Sequence, residues 1–148
     1  MKLLRETIRR IIKEAILNTR KEPEAILNFL ASVDSEVGDH IGQNEYGTDI
    51  FSSEHPDNCR VEFGIDITKD QEVYIKYIQT IGDGCFRKGY ATRTMRHLLH
   101  IIDAYNLSAM LEVQEFGSGG PDNEQLSGWY QSLGFTMVGD GIMTRESR

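Results

Sequence analysis

The sequence predicts an α+β domain, a mixed and mostly antiparallel sheet with flanking helices. Two stretches with helical spacing open the chain, and two segments rich in β-branched and aromatic residues follow as a hairpin. The second half then runs helix, strand, helix, hairpin. At 148 residues the simplest organisation is a single core-forming domain behind an N-terminal helix.

MKLLRETIRRIIKEAILNTR places Leu4, Ile8, Ile11 and Ala15 on one helical face with Ile12 and Ile16 beside it, and its other face is basic. Pro23 suits the first turn of a second helix, PEAILNFLASV. Residues 34–58 are polar and carry Gly38, Gly42, Gly47 and Pro56, so they read mostly as loop and leave the first half short. CRVEFGIDI (59–67) and EVYIKYIQT (72–80) read as strands joined by a turn over Thr68–Gln71. A helix follows, its face set by Ala91, Met95, Leu98, Leu99 and Ile102, to about Tyr105. SAMLEVQEF (108–116) alternates as a strand, and GSGGPDN is loop. Pro121, Asp122 and Asn123 start a short helix to about Leu133, and FTMVGDGIMTR closes as a hairpin turning near Gly139–Gly141.

Composition narrows the function classes. With 39% hydrophobic and 26% charged residues the chain is ordinary for a globular protein, and no apolar run is long enough for a membrane span. Residues 1–21 carry seven Lys or Arg against two Glu, and the remainder carries nine cations against 21 carboxylates. An acidic body argues against nucleic acid as a partner, since phosphate contacts need clustered cations. Cys59 and Cys85 are the only cysteines and show no CxxC spacing or disulfide framework, which fits two free thiols in a reducing cytoplasm. His40, His55 and Cys59 lack ligand spacing, so no metal site is expected; His97 and His100 fall on the surface side of their helix.

One turn carries chemistry. In CFRKGYAT (85–92) two cations, Arg87 and Lys88, precede Gly89 and Ala91 where a helix begins. Unpaired N–H groups and the helix dipole suit an anion there, and small residues let oxygens reach the main chain. The alternative is a glycine turn with solvated cations. It is not a nucleotide P-loop, because the Gly-Lys-Ser/Thr ending is missing.

The second segment is NEQLSGWYQSLGF, with Asn123, Leu126, Trp129, Tyr130, Gly134 and Phe135 at offsets 0, 3, 6, 7, 11 and 12. It resembles the closing helix of the GNAT superfamily, the acyl-CoA-dependent N-acyltransferases. The turn at 85–92 resembles that family's pyrophosphate loop, and the strand ending YIQT its fourth strand. The likeness covers about residues 59–148. It implies a GNAT-like fold with acetyl-CoA as co-substrate. A pantetheine arm would lie between strands 72–80 and 108–116, contacted by Ile78, Gln79 and Thr80. The diphosphate would be held by Phe86, Arg87, Lys88, Gly89, Tyr90, Ala91 and Thr92. Asn123 would be a further polar contact, and Tyr130 the general acid beside the sulfur; its bland alternative is a packed aromatic. The implied reaction is direct attack of an amine, small molecule or protein, on the thioester.

The chain departs from the family pattern in places. Phe86 stands where Arg or Gln is usual, Gly82-Asp83-Gly84 carries an extra residue, and Gln79 stands near where many relatives carry a carboxylate. The base is therefore unassigned among Glu62, Glu72, Glu112 and Glu115. A rival reading follows, a non-catalytic GNAT-fold binding or virion-associated protein with a vestigial cleft. Residues 1–21 have three readings: an amphipathic helix that docks on domain 22–148 or pairs two copies into a homodimer, a membrane-surface or import helix, or a leader. The last is a resemblance to short leaders of large tailed bacteriophages, cut after Leu/Ile-x-Glu, which Leu4-Arg5-Glu6 and Ile12-Lys13-Glu14 match; it would imply packaging in a phage head.

Overall fold

The structure, a computed structural model, describes residues 7–8, 23–113 and 122–147. Helix α1 (Pro23–Glu36) leads into strands β1 (Asp39–Gln43), β2 (Asp49–His55), β3 (Cys59–Ile67) and β4 (Val73–Ile81). Then come α2 (Tyr90–Ala104), β5 (Ala109–Glu112), α3 (Asn123–Ser132), β6 (Thr136–Gly139) and β7 (Ile142–Arg145). The strands form one seven-stranded sheet in the order β1-β2-β3-β4-β5-β7-β6. Every pairing is antiparallel except β4 with β5. The predicted α+β class, with its mostly antiparallel mixed sheet, is the observed one.

Alternation along the strands sorts the sheet into two faces. Phe51, Val61, Phe63, Ile65, Val73, Ile75, Leu111 and Met143 point to one side and are fully or almost fully buried. Onto that side α1 brings Ile26, Phe29, Leu30 and Val33, and α2 brings Met95, Leu98 and Ile102, at the three-and-four spacing that makes one apolar stripe. Phe51 stacks on Phe63 across β2 and β3 at 5.3 Å, and Phe29 meets Tyr105 edge-on at 6.0 Å. Ile8 joins the same core. The rest of the proposed N-terminal helix lies outside the described residues, as do residues 114–121, including Glu115 and the end of the predicted strand.

A buried guanidinium ties the C-terminal half together. Arg145 on β7 donates two parallel bonds to Asp103 near the end of α2, at 2.7 and 2.9 Å, and its Nε donates to the Leu133 carbonyl at 3.0 Å. That carbonyl belongs to the last turn of α3, where the helix itself supplies no donor. One side chain thus fixes two helices to the sheet.

Two expectations are corrected. Residues 34–58 are not mostly loop, because β1 and β2 lie there. The strand pattern was hidden because the inward positions of β2 are Asp49, Phe51, Ser53 and His55, and three of these are polar. Burial there is offset by partners: Asp49 Oδ1 meets His40 Nε2 at 2.8 Å and Gln43 Nε2 at 3.2 Å, and His55 meets Thr94. Both sheet edges are irregular, with register shifts between His40 and Gly42 in β1 and between Met137 and Gly139 in β6. The second correction concerns the cysteines, which are not free thiols. Cys59 at the start of β3 and Cys85 in the turn before α2 form a disulfide, with Cα atoms 5.6 Å apart and both residues buried.

Candidate functional site

The turn between β4 and α2 is built for an approach from outside. Gly82, Gly84 and Gly89 have positive φ, and Arg87 also sits in the left-handed region at φ 63°. Gly89, at φ 80°, is the N-cap of α2 and offers no side-chain cap. The helix's first internal bond runs from Arg93 N to the Gly89 carbonyl, 3.0 Å. The amides of Tyr90, Ala91 and Thr92 therefore precede any intrahelical acceptor. A Cβ placed at Gly84 or Gly89 would meet nothing within 4 Å, so open space lies beside the main chain at both. Arg87 and Lys88 are exposed, Lys88 resting 3.7 Å from Asp57 in a surface ion pair. Phe86, 70% exposed, adds no donor.

This turn is anchored from two sides. The disulfide holds Cys85 to the first residue of β3. Behind α2, Tyr90 stacks on His55 at 4.6 Å, and His55 Nε2 lies 3.0 Å from Thr94 Oγ1 and 3.2 Å from Ser53 Oγ. Burial, and then the nearby Arg93 charge, lowers the His55 pKa below its ordinary 6.5, against a smaller opposing pull from Glu54. The ring is therefore neutral near pH 7 and serves as a hydrogen-bonded wedge under the first turn.

Below the turn the described pairing of β4 with β5 is short. Strands β4 and β5 pair only from Val73–Ile75 to Ala109–Leu111, while β4 runs on to Ile81 with β3 as its sole described neighbour. Val113 N continues the β5–β7 ladder to the Gly141 carbonyl, 2.8 Å. Ile78, Gln79 and Thr80 lie on the later part of β4; Ile78 is buried, Thr80 half-buried and Gln79 exposed.

Helix α3 approaches from the other flank. Asp122 caps it, accepting from Gln125 N at 2.8 Å while the Gln125 side chain accepts from Asp122 N. Asn123 is its first residue. Trp129 Nε1 donates to Thr92 Oγ1 at 2.9 Å, tying α3 to the first turn of α2. Tyr130 packs beside Trp129 and Phe135, is 5% exposed, and burial raises its phenol to about 12. It stays protonated at neutral pH, as a proton donor must. Of the residues expected at the site, Thr92 and the α3 aromatics are brought together by this bond, while the Tyr90 ring lies packed on His55.

Several residues here had no legible signal. Cys59 and Cys85 stand 26 apart with no motif. His55 and Thr94 sit on a strand hidden by polarity and on a helix, and no spacing rule links them. Glu62 was one of four candidate carboxylates, and only the structure shows its setting. It lies opposite Gln79 in register and accepts from Tyr77 Oη at 3.0 Å and from Gln79 Nε2 at 3.2 Å. Burial, then the bond to Glu62 and its charge, raises the Tyr77 phenol well above its ordinary value.

No family model matches the chain, and no curated protein does either. Among solved structures the chain is similar to the crystal structure of AtaTR bound with AcCoA, at 12% sequence identity and a TM-score of 0.46, over 84% of this chain and 80% of that one.

Proposed function

We propose that the protein transfers an acetyl group from acetyl-CoA to an amine by direct attack on the thioester. The observation that carries this reading is the glycine-rich cationic turn after β4, which ends in a helix N-terminus without a side-chain cap. A diphosphate fits there: amides of Tyr90–Thr92 and the side chains of Arg87 and Lys88 hold it. Open space beside Gly84 and Gly89 leaves room for phosphate oxygens at the main chain. When bound, acetyl-CoA supplies an activated acyl carbon.

The chain's own groups then do three things. An amide on β4 near Ile78–Thr80 donates to the oxygen that gains charge as the amine adds. Tyr130, protonated throughout the physiological range, gives its proton to the departing sulfur as the C–S bond breaks, and the proton that the amine sheds on forming the C–N bond passes to water. Trp129 holds α3 against α2, so the donor and the diphosphate turn keep one spacing. Titrating acetyl-CoA by calorimetry into wild type and Arg87→Ala/Lys88→Ala tests the cofactor half. Micromolar affinity lost at least tenfold in the double variant supports it. No binding to folded wild-type protein would refute it and leave the non-catalytic binding protein as the reading.

A further inference from the structure

We infer that Phe86 is the stacking platform for a purine attached to the diphosphate, which makes the adenosine end of acetyl-CoA part of what the chain recognises. The inference rests on the transferase reading above and names its donor class: thioesters of coenzyme A, in preference to thioesters carried on phosphopantetheine alone.

Phe86 is 70% exposed, the highest figure among the large, wholly apolar side chains of the described residues. One exposed ring is ordinary on a protein surface; the backbone around this one is not. Its neighbour Cys85 turns inward and is buried, bonded to Cys59 at the start of β3, while Cys85 N donates to the Gly82 carbonyl at 3.3 Å. On the other side Arg87 holds a left-handed φ of 63°, and Gly89 caps α2 at φ 80°. The ring therefore projects from a backbone fixed on both sides. A ligand that covers it does not have to order the turn first.

Position supplies the chemistry of that ligand. Phe86 stands one peptide before Arg87, about 3.8 Å between Cα atoms, and two before Lys88, the exposed cations assigned to the diphosphate. In coenzyme A a single ribose separates the diphosphate from adenine, so a base that leaves the turn past Phe86 meets an aromatic face beside two cations. Phe86 has no donor for a phosphate, and stacking of a base on an aromatic ring asks for none. The other ring of the turn is already used: Tyr90 is buried and stacked on His55 at 4.6 Å. Phe86 is the ring left open.

The test titrates ADP, inorganic pyrophosphate and acetyl-CoA by calorimetry into the full chain and into Phe86→Ala, Phe86→Leu and Phe86→Trp. ADP should bind wild type about tenfold more tightly than pyrophosphate, within the range that one stacked base supports. Phe86→Ala and Phe86→Leu should both erase that preference and weaken acetyl-CoA about tenfold, since leucine restores apolar bulk without a ring. Phe86→Trp should keep the preference. Pyrophosphate affinity should be the same in all four proteins. In Phe86→Trp the added indole should lose fluorescence with ADP and not with pyrophosphate, a signature that a merely structural role does not give. Thermal melts confirm folding, which an exposed position readily allows. ADP that binds no tighter than pyrophosphate, a preference that survives Phe86→Ala, or a Phe86→Leu variant that behaves as wild type overturns the inference; acetyl-CoA still bound then leaves the transferase reading standing. Phe86-dependent ADP binding without acetyl-CoA binding keeps the platform and defeats the cofactor reading. Binding of none of the three to folded wild type defeats both.

Discussion

Replacing Arg145 by Met keeps an unbranched, shorter apolar side chain and removes the three donor nitrogens. The guanidinium is 7% exposed and the Asp103 carboxylate 20%, so the variant leaves a charge in a site with little water and takes the donor from the Leu133 carbonyl. Breaking a buried pair from one side typically costs about 3–5 kcal/mol, and the partial exposure of Asp103 puts this case near 3 kcal/mol. For a chain of this length that lowers the melting temperature by about 6–12 °C. Urea unfolding followed by circular dichroism measures it, with Asp103→Asn and the double variant completing a cycle. The double variant should recover at least about 1 kcal/mol of the summed single losses, because the two side chains act as one unit. Arg145→Lys should fall between, since an ammonium cannot make the paired contact and reach Leu133 as well. A loss below about 1 kcal/mol in Arg145→Met, or strictly additive singles, would refute the claim that this fork joins α2 and α3 to the sheet.

Tyr130→Phe should cut turnover at least tenfold with little change in acetyl-CoA affinity; unchanged turnover with a confirmed acceptor removes Tyr130 from the mechanism. The same residue leaves an alkaline signature. Its folded pKa of about 12 lies above the ordinary phenol value of 10, so its contribution to stability is complete below pH 10 and is lost as pH rises toward 12. That slope should be shallower in Tyr130→Phe, and an identical slope counts against burial of the phenol. Reducing the Cys59–Cys85 bond opens a link across 26 residues, which a chain-entropy account puts at about 3.5 kcal/mol. Dithiothreitol should therefore lower the urea midpoint of wild type and leave Cys59→Ser/Cys85→Ser untouched. Two free thiols titrated in unreduced, denatured protein would show that the bond is not made.

The back half was legible because its elements follow local rules. The capped start of α3, the amphipathic stripe of α2 and the positive-φ pair Asp140–Gly141 between β6 and β7 each have a short-range cause. The front half hid its strands because burial there is compensated by long-range polar partners instead of by apolar side chains. Asp49 looks like a loop residue until His40 and Gln43 are placed against it. The candidate site divides the same way. The turn at 85–92 and Tyr130 could be read from spacing, since backbone geometry fixes their offsets. The pairing of Glu62 with Tyr77 and Gln79 depends on the β3–β4 register, which includes a shift between Gly64 and Ile65 that no alternation pattern announces. The disulfide likewise needs the fold to bring two ordinary cysteines together.

The irregular margins of the sheet have a consequence for how copies of this molecule meet. β1 shifts register at Gly42 and β6 near Gly139, and each strand is five residues long or shorter. A neighbouring chain seeking to extend the sheet finds at either margin too few consecutive backbone donors and acceptors to zip onto. Fibre-like growth through main-chain pairing is thereby discouraged by the edge strands themselves. Self-association through the described residues would have to be written in side chains, where Met137 and Val138 on one rim, Ile41 and Tyr46 on the other, and Phe86 in the turn before α2 are exposed apolar groups.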